Sequence, residues 1–358
     1  MNLRVAINGF GRIGRMVYRR AVETGAFQVV AVNGTSDAET MAHLLTYDSV
    51  HGTWPIPLHV GESQWTCGGQ TTRLFATRNI EELPWKELDI DVVIEATGAF
   101  RTYEGASKHL RQGAKKVLIT APAKGTPGAD FTLVMGVNEE HYDRRFHHVV
   151  SGASCTTNAL GPVVKAIHQA FTLEHGFLTT VHAVTNDQNN LDNPHKDIRR
   201  GRASHQSMIP TTTGAARAIG EVLPDLAGRL DGISVRVPVP NVSLIDVVAT
   251  VRMPVTTEMV NEALATAALD PSFRGVLGYT EEPLVSVDFN GDVRSAVVDA
   301  AMTRVVADST IKVLAWYDNE WAYACRMVET AAYMGAGEGA AKSVQSDVPE
   351  KSSPVTVF

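Results

Sequence analysis

The sequence predicts an α/β chain in two parts: a doubly wound, mostly parallel sheet covered by helices, then an α+β part built on a large mixed or antiparallel sheet. Three observations carry this. A glycine turn links a short apolar strand to a helix near the N-terminus. Buried-strand and helical patterns then alternate up to about residue 150, which implies parallel strands joined by crossovers. After Cys155 the rhythm changes, and a long amphipathic helix is followed by longer strands.

In order, Leu3–Asn8 reads as a strand, Gly14–Thr24 as a helix and Phe27–Asn33 as a second strand, together one βαβ unit. Further buried strands are expected at Asp91–Ala96, Lys116–Thr120, Phe131–Val137 and His147–Val150, with a helix at Thr102–Gln112. The second part starts with a helix over Thr156–Phe171. Its strands are expected at Phe177–Val184, Gly232–Val237, Ile245–Met253, Ser286–Asp288, Ala301–Val305 and Ile311–Tyr317. Between Thr185 and Pro210 runs a polar, Asn- and Arg-rich stretch; a loop of that length inside a domain usually serves a site or an interface. A last helix spans Trp321–Met334, and Gly335–Phe358, rich in Gly, Ala, Ser, Lys and Pro, reads as a disordered tail. The expected division is 1–154, completed by the helix at about 320–334, then 155–319, then the tail at 335–358.

Composition narrows the function. With 358 residues, 44% hydrophobic and 20% charged, the chain reads as an ordinary globular protein of about two domains. A net charge of −7 disfavours nucleic acid as a partner. Three cysteines, Cys67, Cys155 and Cys325, make no disulfide framework, so an important cysteine acts as a thiol. No signal-peptide pattern and no apolar run of ~18 residues is present, so a soluble, cytoplasmic protein without a membrane partner is expected. No cysteine or histidine pair has metal-ligand spacing, and no metal is expected.

Gly9-Phe10-Gly11-Arg12-Ile13-Gly14 fits G-x-G-x-x-G, and it sits between a strand and a helix, the context that makes the motif a dinucleotide-binding fingerprint. Gly9 permits the tight turn, Gly11 lets a pyrophosphate approach the backbone, and Gly14 lets helix and strand pack closely. The first domain is therefore expected to be a Rossmann domain. About 20 residues on, such domains that use NAD carry an acid for the adenosine ribose. Here the second strand ends Asn33-Gly34-Thr35-Ser36-Asp37. Without the acid at Gly34, a 2′-phosphate is not repelled, and Thr35 and Ser36 offer it donors, so NADP is admitted. The alternatives are that Asp37 takes the acid's part or that specificity is loose.

Cys155 stands where a strand hands over to a helix, and a helix N-terminus favours thiolate. His182 follows 27 positions later. A helix rising ~21 Å over about 14 residues, then a strand returning ~20 Å over about six, brings His182 back to the helix start. A Cys–His pair activates a thiol nucleophile and moves a proton. Each residue alone also fits a buried core role. Cys67, in a polar turn region, and Cys325, in the last helix, fit that role better. Anion-binding types cluster downstream: Thr185, Arg199, Arg200, Arg202, Thr211–Gly214 and Arg236. At most one of the three clustered arginines is expected to reach a ligand.

At this point the chain resembles the phosphorylating glyceraldehyde-3-phosphate dehydrogenases. The resemblance is carried by Ala6–Gly14, Ala42–Leu45 with Tyr47–Ser49, Glu95–Gly98, Ala153–Asn158, Thr180–His182, Thr211–Ala216, Arg236–Pro238 and Trp316–Trp321, in family order from about residue 2 to 334. It implies Cys155 as nucleophile and His182 as base. It implies that Thr185 and Arg236 hold the substrate phosphate, and that Ser154, Thr156, Thr213 and Gly214 hold inorganic phosphate. Arg200 best matches the family's anion-site arginine. Arg12, Ile13, Thr97, Gly98 and Thr120 would lie along the cofactor, NADP or NAD, and Asn319 would hydrogen-bond the nicotinamide carboxamide. The loop Ala183–Ser204 would pack against a neighbouring subunit in a homotetramer, with Asn193 near that neighbour's adenosine. Gly34, Thr35 and Asn193 depart from the NAD-using glycolytic forms, and the sequence is similar to the gluconeogenic, NADP-tolerant bacterial type. Ala159 replaces a second cysteine common in the family. The related erythrose-4-phosphate dehydrogenases and, in another class, a cofactor-binding thiol redox sensor are the competing readings.

Overall fold

The computed structural model describes residues 3–273 and 275–336. Its residues group into two units. One comprises the chain up to Met135, Glu139–Ser154 and the last helix from Tyr323; the other comprises Gly136–Asn138 and Cys155–Ala322.

In the first unit, β1 (Arg4–Asn8), α1 (Arg12–Thr24) and β2 (Gln28–Asn33) make the opening βαβ. Four of the five β1 residues are buried, as a strand covered on both faces requires. Helix α1 stops at Gly25, whose φ of 63° is a left-handed conformation that suits glycine. Next come α2 (Ala38–Thr46), capped by Asp37, and a ribbon of β3 (Tyr47–Asp48) and β4 (Gly52–Thr53). A meander of β5 (Leu58–Val60), β6 (Gln64–Cys67) and β7 (Gln70–Phe75) is joined by β8 (Val92–Glu95), α3 (Tyr103–Arg111), β9 (Lys116–Ile119), β10 (Phe131–Thr132) and β11 (Val149–Ser151). The sheet runs β10-β11-β9-β8-β1-β2-β7-β6-β5, parallel from β10 to β7. The connections leave β1 and β8 in opposite directions, so the crevice at their carboxyl ends is the switch point where such sheets bind ligands.

The second unit begins with α4 (Cys155–Phe171) and β12 (Leu173–His182). It continues through β13 (Ile209–Thr212), α5 (Ala215–Val222), β14 (Leu230–Arg236), β15 (Ser243–Val251), α6 (Thr257–Leu269), β16 (Leu277–Thr280), β17 (Ala296–Val306) and β18 (Thr310–Tyr317). The sheet order is β13-β14-β12-β15-β18-β17-β16, a mixed sheet with parallel pairs at β12–β14 and β16–β17. Helix α4 packs on α5 and α6 and on the strands beneath. Along β12, Leu178, Thr180 and His182 point inward, while Phe177 is exposed. The last helix is α7 (Trp321–Gly335).

Several expectations need correction. Of Phe131–Val137, only Phe131–Thr132 pairs, because the chain turns at Met135–Asn138. Ser286–Phe289 forms a 3₁₀ turn rather than a strand, and it leaves Val285 and Val287 exposed. The strand expected at Phe177–Val184 runs Leu173–His182, and the one at Ala301–Val305 starts at Ala296. Cys67 ends a strand and is buried; the turn is Gly68-Gly69, both at positive φ. Gly335 closes α7, whereas the tail beyond Ala336 lies outside the described residues. Among those residues no helix is long and apolar enough to cross a membrane.

Candidate active site

The glycine turn has the geometry of a phosphate cradle. Gly9 has φ of 100°, and a Cβ there would lie 2.5 Å from Thr97 N. A Cβ on Gly14 would lie 2.1 Å from Gly9 O, so helix and strand meet backbone to backbone. A Cβ on Gly11 would meet nothing within 4 Å, and α1 starts there with no capping side chain and no acid in its first turn. Open space, free N–H groups and a positive helix end suit a pyrophosphate. Arg12 opens α1 and makes two bonds to Asp48, at 2.8 and 3.1 Å; Ile13 beside it is half-buried. Gly34 is buried and a Cβ on it would meet Met41 Sδ at 2.3 Å. Thr35 is exposed. Asp37 spends its carboxylate on the cap of α2, accepting from Thr40 N at 2.7 Å and from Thr40 Oγ1 at 3.0 Å.

Beneath the crevice lies a polar ladder that sequence reasoning missed. Asn33 Nδ2 donates to Asn8 Oδ1 (2.7 Å), and Asn8 Nδ2 donates to Glu95 Oε2 (2.6 Å). Trp85 Nε1 donates to His109 Nδ1 at 2.9 Å. An indole only donates, so His109 carries its proton on Nε2 and gives it to Glu95 Oε2 at 3.1 Å. Glu95 Oε1 accepts from Thr97 N at 2.8 Å and from the Thr97 hydroxyl. Thr120 Oγ1 donates to Glu95 O. Thr97, Gly98 and Thr120 thus sit at the carboxyl ends of β8 and β9. The only sequence signal for the ladder was buried polar types at strand ends.

In the second unit, Cys155 is the first residue of α4 and His182 the last of β12, with Cys155 Sγ 3.5 Å from His182 Nε2. Just before them, Ala153 holds φ of 56°, rare for a residue with a Cβ, and is fixed by Ala153 N donating to Ser151 Oγ and by Tyr323 Oη donating to Ala153 O. Ser154 follows it and precedes the cysteine. Burial pushes the Cys155 thiol up, while the Arg236 charge and bonds from Thr156 pull it back. Burial, then Arg236, push the His182 imidazole down to about 3. Burial thus works against charge on both partners, while the helix end, Arg236 and the Thr156 bonds work for the thiolate.

The parallel pairing of β12 with β14 sets His182 opposite Arg236. Arg236 Nη1 lies 2.7 Å from His182 Nδ1, and Arg236 Nε is buried with no hydrogen-bond partner. Arg200 Nε donates to Thr211 Oγ1 (3.0 Å) and its Nη1 to Asp187; Arg199 reaches only Pro210 O, and Arg202 pairs with Asp192. Gly214 caps α5 from an exposed position, with open space where a Cβ would be, and Thr213 Oγ1 accepts from Ala215 N. Thr185 begins the long loop, its N–H on Gln188 Oε1. Asn193 is exposed on that loop. Two further residues emerge only from the structure. Tyr317 Oη joins Thr156 Oγ1 (3.0 Å) to Thr180 Oγ1 (2.9 Å). Ser243 Oγ takes Ala183 N–H and donates to Asn319 Oδ1 at 2.8 Å, which leaves the Asn319 amide nitrogen as the group to present. Among the described residues no His, Cys, Asp and Glu cluster could hold a metal ion.

A dinucleotide cradle in one unit, and in the other a half-buried thiol beside a buried imidazole and an arginine, are features of a nicotinamide-dependent dehydrogenase. Comparison with known proteins gives the family. Residues 3–103 match the glyceraldehyde 3-phosphate dehydrogenase NAD binding domain and residues 154–319 its C-terminal domain. The chain is 52% identical over 336 residues to glyceraldehyde-3-phosphate dehydrogenase 2 of Bacillus subtilis, covering 94% of this chain and 98% of that one. It is 51% identical to glyceraldehyde-3-phosphate dehydrogenase of Geobacillus stearothermophilus (94% and 99% covered) and 48% identical to glyceraldehyde-3-phosphate dehydrogenase 2 of Staphylococcus aureus MRSA252 (94% and 97%). The chain belongs to the glyceraldehyde-3-phosphate dehydrogenase family.

Proposed function

We propose that the chain oxidises glyceraldehyde 3-phosphate to the acyl phosphate 1,3-bisphosphoglycerate, reversibly, with inorganic phosphate as co-substrate. The observation that carries this is the Cys155–His182 contact at 3.5 Å beside a buried arginine nitrogen that lacks a partner. Cys155 Sγ adds to the aldehyde carbon as His182 Nε2 takes the thiol proton and passes it to the former carbonyl oxygen, giving a thiohemiacetal on the chain and a neutral imidazole again. His182 then takes the hydroxyl proton of that adduct. The bound nicotinamide cofactor supplies the hydride acceptor. The thioester left on Cys155 keeps the acyl group activated, and phosphate attacks its carbon, breaks the C–S bond and returns the thiolate. Arg236 and Thr185 hold the substrate phosphate. Thr213 and Gly214, at the open start of α5, hold inorganic phosphate with Ser154, Thr156 and Arg200. With the cofactor bound, Asn319, whose Oδ1 is held by Ser243, would offer its amide nitrogen to the nicotinamide carboxamide.

NADP is admitted, in our reading, because position 34 carries no acid and Asp37 is committed to capping α2. A homotetramer is supported by apolar surface on the second unit: Phe177 (68% exposed), paired in register with Val248, shares an outer sheet face with Ile233. The long loop adds exposed Leu191, Ile198 and Met208. We place the enzyme in the cytoplasm.

The test is to follow reduction of NAD and NADP with glyceraldehyde 3-phosphate, with and without phosphate or arsenate, and to repeat it with erythrose 4-phosphate. Oxyanion-dependent turnover of the triose is expected. Preference for the tetrose, or no turnover with either sugar, overturns the proposal.

A further inference from the structure

Two strands of the second sheet end close together, and the strand between them begins there. β12 ends at His182 and β18 at Tyr317, while β15, which pairs antiparallel with both, starts at Ser243. The order β12-β15-β18 therefore sets Ser243 between the ends of its two neighbours. Its hydroxyl spans them. Ala183 N, just past β12, donates to Ser243 Oγ at 3.0 Å, and Ser243 Oγ donates to Asn319 Oδ1, just past β18, at 2.8 Å. Ser243, Ala183 and Asn319 are all buried. The backbone on either side is fixed. Val242 holds φ of 68°, where a β-branched residue is found only when its surroundings enforce it, and it packs in a core cluster with Phe289 and Val297. Asp318 Oδ1 accepts from Glu320 N and Trp321 N, which anchors the chain around Asn319. What is left to decide is which way the Asn319 amide faces.

Ser243 decides it. A backbone N–H only donates, so one lone pair of the serine is committed to Ala183. The hydroxyl proton then needs an acceptor in a place water does not reach, and Asn319 Oδ1 is that acceptor. With the amide turned over, Nδ2 would donate to the serine oxygen, and the hydroxyl proton would be buried without a partner, at the full cost of its desolvation. We propose that Ser243 is a positioning residue for the cofactor: it locks Asn319 with Nδ2 as the presented atom, so that the site reads only the carbonyl half of the nicotinamide carboxamide and ignores the carboxamide's own N–H groups. This rests on the reading of Asn319 as the carboxamide contact and adds what holds that contact to one polarity. Asn319 Nδ2 has no hydrogen bond among the described residues, so it is at liberty to donate. The same hydroxyl pins Ala183, so the amide and the end of β12 are held as one piece.

The test compares two cofactors that differ at this group alone. In 3-acetylpyridine adenine dinucleotide a methyl ketone replaces the carboxamide, which keeps the carbonyl acceptor and removes the N–H donors. Dissociation constants for it and for NAD are read on the intact protein by quenching of tryptophan fluorescence, without turnover. In the native chain the two should agree within about threefold, because the missing N–H groups had no acceptor. Ser243→Ala frees the amide to turn. NAD can follow by rotating its carboxamide, whereas the ketone cannot, so the ketone-to-NAD ratio should rise about fivefold. Ser243→Thr keeps a hydroxyl and should hold the native ratio. Asn319→Ala should weaken both cofactors alike, by roughly tenfold. A native chain that binds the ketone more weakly than the stated range overturns the proposal, since Asn319 then presents Oδ1. An unchanged ratio in Ser243→Ala also overturns it, even if both constants rise, and leaves Asn319 as the contact. Unchanged binding in Asn319→Ala removes the contact and the proposal together. Ser243→Cys, with similar size and only a weak donor, gives the same readout if the alanine variant does not fold.

Discussion

Buried polarity is handled in opposite ways in the two units. Below the dinucleotide crevice, Asn33 Nδ2 donates to Asn8 Oδ1 and Thr77 O, Asn8 Nδ2 and His109 Nε2 donate to Glu95 Oε2, and Trp85 Nε1 donates to His109 Nδ1, so every one of these donors has an acceptor. Around Cys155 the books do not balance: His182 Nδ1 has two neighbours with incompatible demands, and Arg236 Nε has none. A closed network in a low-dielectric interior stiffens a scaffold, whereas an open one is held ready for a ligand that completes it. The first should therefore respond to substitution in stability, and the second in activity.

The largest expected effect is at the nucleophile. Cys155→Ser should lower kcat by on the order of 10³-fold or more while leaving the melting temperature and cofactor binding in place. Loss of cofactor binding, read by fluorescence quenching, would make Cys155 structural and erase the contrast. His182→Gln should lower kcat by about 10²–10⁴-fold. It also has a stability signature. The folded pKa of His182, about 3, lies below the ordinary 6.5, so the unfolded chain binds the extra proton and this group costs stability as pH falls from 6.5 toward 3. Above that window it contributes nothing. Urea titrations between about pH 6 and 4 should show a shallower loss for the glutamine variant, by up to ~1.4 kcal/mol per pH unit.

The opposite response belongs to the ladder. Trp85→Phe leaves His109 Nδ1 without its donor and opens space in a core that includes Ile90, Leu83 and Val93. A loss of about 2–4 kcal/mol in unfolding free energy is expected, with kcat per folded molecule unchanged. A fall in kcat at unchanged stability would contradict the division of labour. Gly34→Asp is the smaller test, at the rim of the scaffold. The kcat/KM ratio of NADP over NAD should fall about tenfold through like-charge repulsion. Because Met41 Sδ occupies the place of the new Cβ, Met41 must shift, and Met41→Ala should strengthen the effect.

Much of this was legible in the sequence, for reasons that differ by region. The parallel strands around β1 are short apolar runs because both faces are covered, and the glycine turn marks where the backbone must open. Cys155 and His182 could be brought together because one helix and one returning strand lie between them, which is local arithmetic. The Arg236 contact was out of reach, since it depends on the parallel register of β12 with β14, 54 residues apart. Helix α6 buries only Val260 and Leu264, too thin a stripe to be read as periodic. The β5–β7 meander does carry a signal in Gly68-Gly69, but a cysteine beside two turn glycines reads as part of the turn, and only the pairing of Cys67 with Leu58 and Gln70 shows it to be strand.

Ala153 stands outside this contrast. A side chain held at positive φ costs on the order of 1 kcal/mol, and a glycine there would recover about that much. The residue that would make the protein more durable would also slacken the turn that leads into Ser154 and Cys155. Attempts to harden this enzyme by directed evolution should therefore find gains everywhere except at this turn, where robustness and aim draw on the same backbone angle.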